Sequence, residues 1–138
     1  MAAHANPIEV SFPLPKAPHA ILHGHLTFLE GCAMVHLTTS ELGESGSTLA
    51  PLGSFVYTMP DRLDEKSTIS SVLCATGSSI DYATRLSKIL ARRMRLPVYV
   101  GCSMSFAGIT PEEEMEGLGR VVSEIMAKFE SSKTTTIK

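Results

Sequence analysis

The amino-acid sequence predicts an α+β fold in which about six mostly antiparallel strands carry two helices on one face. Three observations support this prediction. Between residues 8 and 76, apolar residues alternate with polar ones in short segments, as is typical of strands. Two later segments, 80–94 and 111–129, instead repeat their apolar residues every three or four positions, as helices do. The predicted element order is therefore β-β-β-β-β-α-β-α. Strands that mostly precede the helices are typical of an α+β fold.

The first predicted strand, 8–12, ends at a proline-rich stretch. Segments 19–29 and 32–38 then form a hairpin around a tight turn at Glu30 and Gly31. An exposed loop is expected at 39–48, where Ser, Thr, Gly and Glu dominate. The remaining strands are predicted at 54–59, 69–76 and 98–106.

Both helices have recognisable starts. Ser78 can cap the first helix, and Pro97 marks its exit. Thr110 is the N-cap of the second helix, Pro111 is its first residue, and Glu113 completes a capping box. A narrow apolar seam follows on this helix: Met115, Leu118, Val122, Ile125 and Phe129.

Length and composition exclude several classes of protein. With 138 residues, 43% of them hydrophobic, the chain predicts one folded domain at 7–130 with flexible tails at 1–6 and 131–138. Twelve Lys and Arg residues against fourteen Asp and Glu give a net charge of −2, which argues against a nucleic-acid binder. No apolar run reaches the ~18 residues of a membrane span, and residues 1–6 lack signal-peptide features. We expect a soluble intracellular protein without membrane contact.

Several predicted strands are apolar on both faces, although two helices can cover only one. In 32–37, Met34 points to one face while Val35 and Leu37 point to the other. A second subunit is the expected cover for the remaining face. We therefore predict a partner interface through the sheet, either on the face with the residues His23, His25, Val35, Leu37 and Val72 or on the opposite face.

Cations are concentrated on the first helix. A solvated helix face is the simplest interpretation, and electrostatic docking onto an acidic client is the alternative. The candidate client-binding residues are Arg85, Lys88, Arg92 and Arg93.

The sequence contains no pattern that predicts catalysis. His19, His23 and His25 share strand parity, but no further ligand completes a metal site. The three cysteines lie in apolar runs and indicate small buried thiols. No catalytic, cofactor-binding or metal-binding residue is predicted, and we expect no enzymatic activity.

Five stretches resemble the proteasome assembly chaperone 4 family, in a fungal form. They are HGHLTFL (23–29), CAMVHL (32–37), TRLSK (84–88), LPVYV (96–100) and the helix 115–129. The resemblance implies a noncatalytic chaperone without cofactors that forms a heterodimer with proteasome assembly chaperone 3. It also implies that the pair binds a proteasome α subunit, α5, and orders the α-ring during assembly of the 20S core, in the cytoplasm and nucleus.

Two other functions remain open on the sequence alone. A small dimeric scaffold of the longin or roadblock kind, in a trafficking or signalling complex, has a similar sheet and helices but a different usual element order. A small enzyme would need convergent polar groups in a pocket.

Overall fold

Six strands pair into one mixed sheet in the order β1-β2-β3-β6-β4-β5. The computed structural model describes residues 7–14, 17–41, 53–64, 66–77, 79–104 and 110–136. The strands are β1 (Ile8–Leu14), β2 (Ala17–Phe28), β3 (Ala33–Glu41), β4 (Ser54–Pro60), β5 (Thr68–Cys74) and β6 (Val98–Ser103).

The prediction of a mostly antiparallel sheet is confirmed. Neighbouring strands β1 and β2, β2 and β3, β4 and β5, and β4 and β6 are antiparallel. Only β3 and β6 are parallel among the described pairs. A parallel pair needs a long crossover, and here the chain passes through β4, β5 and a helix before it returns beside β3.

Both helices, α1 (Ser79–Met94) and α2 (Pro111–Thr136), pack on one face of the sheet. Helix α1 lies on β4 and β6, and α2 contacts β1, β2 and α1. Phe28 and Phe129 meet edge to face at 5.4 Å, and the Arg120 guanidinium lies 4.7 Å from the ring centre of Phe12. These contacts place the hydrophobic core between the helices and this face. No helix in the described part of the chain is long and apolar enough to cross a membrane.

The start of α2 was predicted correctly and its end was not. Glu113 N donates to Thr110 Oγ1 at 3.2 Å, and Thr110 N donates to Glu113 Oε1 at 3.0 Å, so the capping box is formed. The helix then continues to Thr136, through much of the expected 131–138 tail. The reason is that neither glycine nor proline follows Gly119 to stop it.

Other boundaries and exposures also differ from the predicted ones. Strand β1 runs through Pro13, which has no backbone N–H. An outermost strand tolerates this because one of its sides has no neighbouring strand to bond with. Strand β3 extends into the expected loop as far as Glu41, and the rest of that loop lies outside the described residues, as do 1–6. Within the predicted seam of α2, Met115 is 61% exposed, because it lies near the N-terminal end of the helix, which extends past the core.

A glycine at the entrance of β4 allows a close approach that gives the first testable prediction. Gly53 has φ +74°, and a Cβ there would collide with the carbonyl oxygen of Cys102. Gly53→Ala should lower the free energy of unfolding by about 2–5 kcal/mol, since left-handed strain and overpacking add. Gly77 has a similar φ of +56° with no atom within 4 Å of the added Cβ, so Gly77→Ala should cost only about 1–2 kcal/mol. Equal losses in urea unfolding would contradict this assignment.

Candidate protein-interaction surface

Strand β4 turns its aromatic side chains away from the core. Ser54, Val56 and Thr58 are fully buried toward α1. Phe55 and Tyr57 alternate with them and therefore lie on the opposite side of the sheet. We call this side, which faces away from α1 and α2, the open face. Aromatic side chains outside and hydroxyls inside reverse the usual distribution, which indicates that the open face is itself a contact surface.

The buried hydroxyls of β4 are paired with hydroxyls of α1. Ser54 Oγ lies 2.8 Å from Ser79 Oγ, and Thr58 Oγ1 lies 2.7 Å from Ser87 Oγ. Ser79 Oγ also lies 2.6 Å from the carbonyl oxygen of Thr76, to which it donates. Each buried hydroxyl thus has a partner, which avoids a cost of about 1–3 kcal/mol for an unsatisfied group.

On the open face, rings from four strands form a continuous row. Tyr57 and Tyr99 have ring centres 4.6 Å apart, and Tyr99 and Phe55 are stacked at 5.9 Å. Phe55 in turn lies parallel to the imidazole of His36 at 6.0 Å, and His36 is 6.5 Å from His25. These five side chains, Tyr57, Tyr99, Phe55, His36 and His25, are called the ring row below.

A shallow groove runs beside the ring row. The register places Glu9, His25, His36, Gly101 and Phe55 side by side across five strands. The groove lies over β1, β2 and β3 and extends to Gly101 of β6, which has no side chain to fill it. The described strand residues of the open face include one carboxylate, that of Glu9, and no lysine or arginine.

His23 is fixed at the edge of this groove. Its Nδ1 lies 3.3 Å from Ser11 Oγ, and its Nε2 lies 2.7 Å from Ser40 Oγ. Each ring nitrogen therefore has a serine partner, and His23 is held between β1 and β3.

The sequence-predicted interface residues do not share one face. His23 and His25 lie on the open face and are exposed. Leu26 is opposite Val35 and Gly24 is opposite Leu37, so Val35 and Leu37 point into the core and are 0% and 2% exposed. The grouping of these two with the histidines was wrong, because it required a register shifted by one residue.

Val72 lies neither with the histidines on the open face nor with Val35 and Leu37 in the core. It pairs with Val56 on the helix side of β5, yet it is 54% exposed because β5 is the outermost strand. The ring-row residues that sequence reasoning missed are His36, Phe55, Tyr57 and Tyr99. For Phe55 and Tyr57 the signal was the alternation in SFVYTM (54–59), in which Ser54, Val56 and Thr58 share one side and the aromatic residues the other.

The predicted client-binding cations form an exposed stripe. Arg85, Lys88 and Arg92 follow one another at steps of three and four along α1, and all are exposed. Arg93 is exposed beside them. Arg85 Nη1 lies 3.7 Å from Met115 Sδ of α2. The first three residues are called the basic stripe.

The thiols differ in exposure. Cys102 is buried, Cys32 is partly buried and Cys74 is exposed, so the expectation of three buried thiols was wrong for Cys74, which lies on the outermost strand. Burial raises the pKa of Cys102 to about 11, which keeps this thiol protonated and unreactive near neutral pH. Among the described residues, no group of three or more His, Cys, Asp or Glu side chains is placed to hold a metal ion.

The ring row gives a pH-dependent prediction. Burial, and secondarily the positive charge of nearby His25, lower the pKa of His36 from its usual 6.5. The unfolded chain therefore binds this proton at a higher pH than the folded chain. Stability should fall as the pH drops through about 6.5 and should level off below the lowered pKa.

Urea unfolding between about pH 5 and pH 8 tests this dependence. His36→Gln should flatten the curve, and His25→Gln should flatten it less, since burial of His36 remains. An unchanged curve in His36→Gln would show that another group is responsible.

Comparison with known proteins agrees with this architecture. A family model described as proteasome assembly chaperone 4 matches residues 21–104. No curated protein matches the sequence. A solved chain from the "Crystal Structure of a Novel Chaperone Complex for Yeast 20S Proteasome Assembly" has a TM-score of 0.62 and 14% identity. The match covers 92% of this chain and 96% of that one, and at this identity it shows a shared fold.

The family match extends from β2 to β6 and includes α1, so it contains the ring row and the basic stripe. It spans more than half of the 138 residues. The chain therefore belongs to the proteasome assembly chaperone 4 family.

Proposed function

We propose that this protein is a noncatalytic subunit of a heterodimeric chaperone for assembly of the 20S proteasome. Its partner is a small chaperone related to proteasome assembly chaperone 3, and its client is a proteasome α subunit, α5. Family membership and the chaperone complex of the similar yeast structure support this proposal.

The observation that carries the heterodimer is the ring row on the open face. Aromatic side chains are enriched and charged ones depleted at the centres of protein interfaces. Phe55, Tyr57 and Tyr99 lie on the sheet side opposite both helices. Among the described strand residues of this face, one side chain is a carboxylate, that of Glu9 on the outermost strand β1. A partner sheet packed here, about 10 Å away, would cover the rings as a second layer.

The basic stripe supports client binding. A row of exposed cations attracts an acidic surface, raises the rate of encounter and fixes its orientation. Because the stripe is on α1 and the ring row is on the open face, partner and client contact opposite sides of the sheet. The chaperone could then hold an α subunit without giving up its partner, and a competing subunit would release the client through its own binding free energy.

The partner interface predicts the effect of a charge at its centre. Tyr57→Asp places an unpaired carboxylate beside Tyr99 and should weaken the heterodimer about 30-fold or more, the size of an interface hot spot. Titration calorimetry with the purified partner measures this affinity. Val72→Asp is the control, because it introduces the same negative charge at an exposed residue on the helix side of the sheet. If Val72→Asp dissociates the pair and Tyr57→Asp does not, the interface lies at β5 and the open-face assignment is wrong.

Client binding should depend on the charge of α1. Arg92→Glu and Arg93→Glu should each weaken binding of purified α5 by about tenfold at low salt and by less at high salt, since exposed charges are screened. Lys128→Glu on α2 makes the same change of charge at another exposed site and should have little effect. The heterodimer should form equally well in all three variants. Loss of client affinity in Lys128→Glu to the same degree would reduce the effect to overall charge.

The experiment that tests the whole proposal is purification of the tagged protein at its natural level, followed by mass spectrometry. A second small chaperone together with α subunits, without the mature proteolytic core, is the expected result. Trafficking GTPases instead would favour the scaffold alternative, and a homodimer alone would contradict the chaperone role.

A further inference from the structure

Described residues on both sides of position 65, in the connection between β4 and β5, hydrogen-bond to one another. Leu63 N donates to Asp61 Oδ1 at 2.9 Å, and Lys66 N donates to Asp64 Oδ1 at 3.0 Å. Ser67 Oγ donates to Asp64 Oδ2 at 3.0 Å, and Asp61 N donates to the carbonyl oxygen of Ser67 at 3.1 Å. Side chains of the Asx type thus replace missing backbone partners and stabilise the turn.

This ordered loop presents one apolar side chain to solvent. Leu63 is 97% exposed, the highest value among the exposed large hydrophobic residues of the described chain. Single exposed leucines are common on protein surfaces, so exposure alone carries little weight. Here, however, hydrogen bonds on both sides of Leu63 fix its backbone, so little conformational entropy is lost when another surface covers it.

The hydroxyl pairs show where this loop lies relative to α1. Ser79 is bonded to Ser54 and Ser87 to Thr58, so α1 and β4 run in the same direction. The two spans are also equal in length, ~12 Å of helix and ~13 Å of strand. The C-terminal end of α1 and the loop that follows β4 therefore meet at one end of the sheet, which we call the loop end.

The charges at the loop end are cationic. By sequence, residues 61–66 carry three carboxylates, those of Asp61, Asp64 and Glu65, against the two cations Arg62 and Lys66. The cationic excess comes from α1, where Arg92 and Arg93 are exposed in the last turn. A surface that fits this end offers an apolar pocket for a leucine and carboxylates at the rim of that pocket.

We propose that Leu63 is the apolar anchor of the client contact, inserted into a carboxylate-rimmed pocket of the client subunit beside Arg92 and Arg93. The proposal rests on the proposed function, because it names the place on this chain that an α subunit occupies. The cations orient the client and the leucine supplies the desolvated centre of the contact, as interface anchors do.

The test measures α5 binding by the intact heterodimer with Leu63→Ser and Leu63→Met. Burial of a leucine accounts for about tenfold or more in affinity, so Leu63→Ser should weaken binding at least to that extent. Leu63→Met keeps an apolar side chain and should stay within about threefold of the original protein. The loss in Leu63→Ser should be similar at low and high salt, unlike that in Arg92→Glu.

Leu73→Ser is the matched control, since Leu73 is also exposed but lies next to Cys74, which pairs with Phe55 at the other end of the sheet. Melting temperatures should not change in Leu63→Ser, because its side chain is exposed. Client affinity equal to that of the original protein in Leu63→Ser would overturn the anchor. Loss of the heterodimer in Leu63→Ser would also overturn it. So would a Leu63→Ser variant that keeps its client affinity but no longer binds phosphatidylserine–phosphatidylcholine vesicles, because Leu63 would then contact a membrane and not the client. If the original heterodimer binds no α subunit, the proposed function itself fails.

Discussion

Two hydroxyl pairs between β4 and α1 determine which side of the sheet faces outward. Thr58 and Ser87, like Ser54 and Ser79, are buried polar residues that satisfy each other. If β4 were turned over, both of these hydroxyl pairs would be lost and the rings of Phe55 and Tyr57 would face α1 instead. Because side chains alternate along a strand, this choice also sends Phe55 and Tyr57 to the open face. The open face is therefore a direct consequence of how α1 docks.

The same pairs set the direction of α1, and with it the position of the charges. A helix parallel to β4 brings its basic last turn to the loop end, next to the connection between β4 and β5. The open face and the loop end are thus separate surfaces, one apolar and aromatic and the other cationic with Leu63 exposed. The geometry allows two macromolecules to bind at once without competing.

Much of the fold could be predicted from the sequence, since its local signals are strong. The capping box at Thr110 and Glu113, the element order and the mostly antiparallel sheet with two helices all follow from spacing and residue type. The site could be predicted only in part. Alternation tells which residues of one strand share a face, but only the register tells which faces of two strands coincide. His25 opposite His36 is such a fact of register, and it places Val35 in the core.

In the proposed complex, the two surfaces differ in the strength that each function needs. The ring row spans four strands and suits a contact that persists, since a large aromatic surface left in water favours association. A client must leave when assembly proceeds, so its contact must be weaker than the contacts of the subunit that displaces it. One leucine and a few screened cations provide specificity and orientation at modest affinity. A large apolar client surface would hold the α subunit too tightly for release without an energy source.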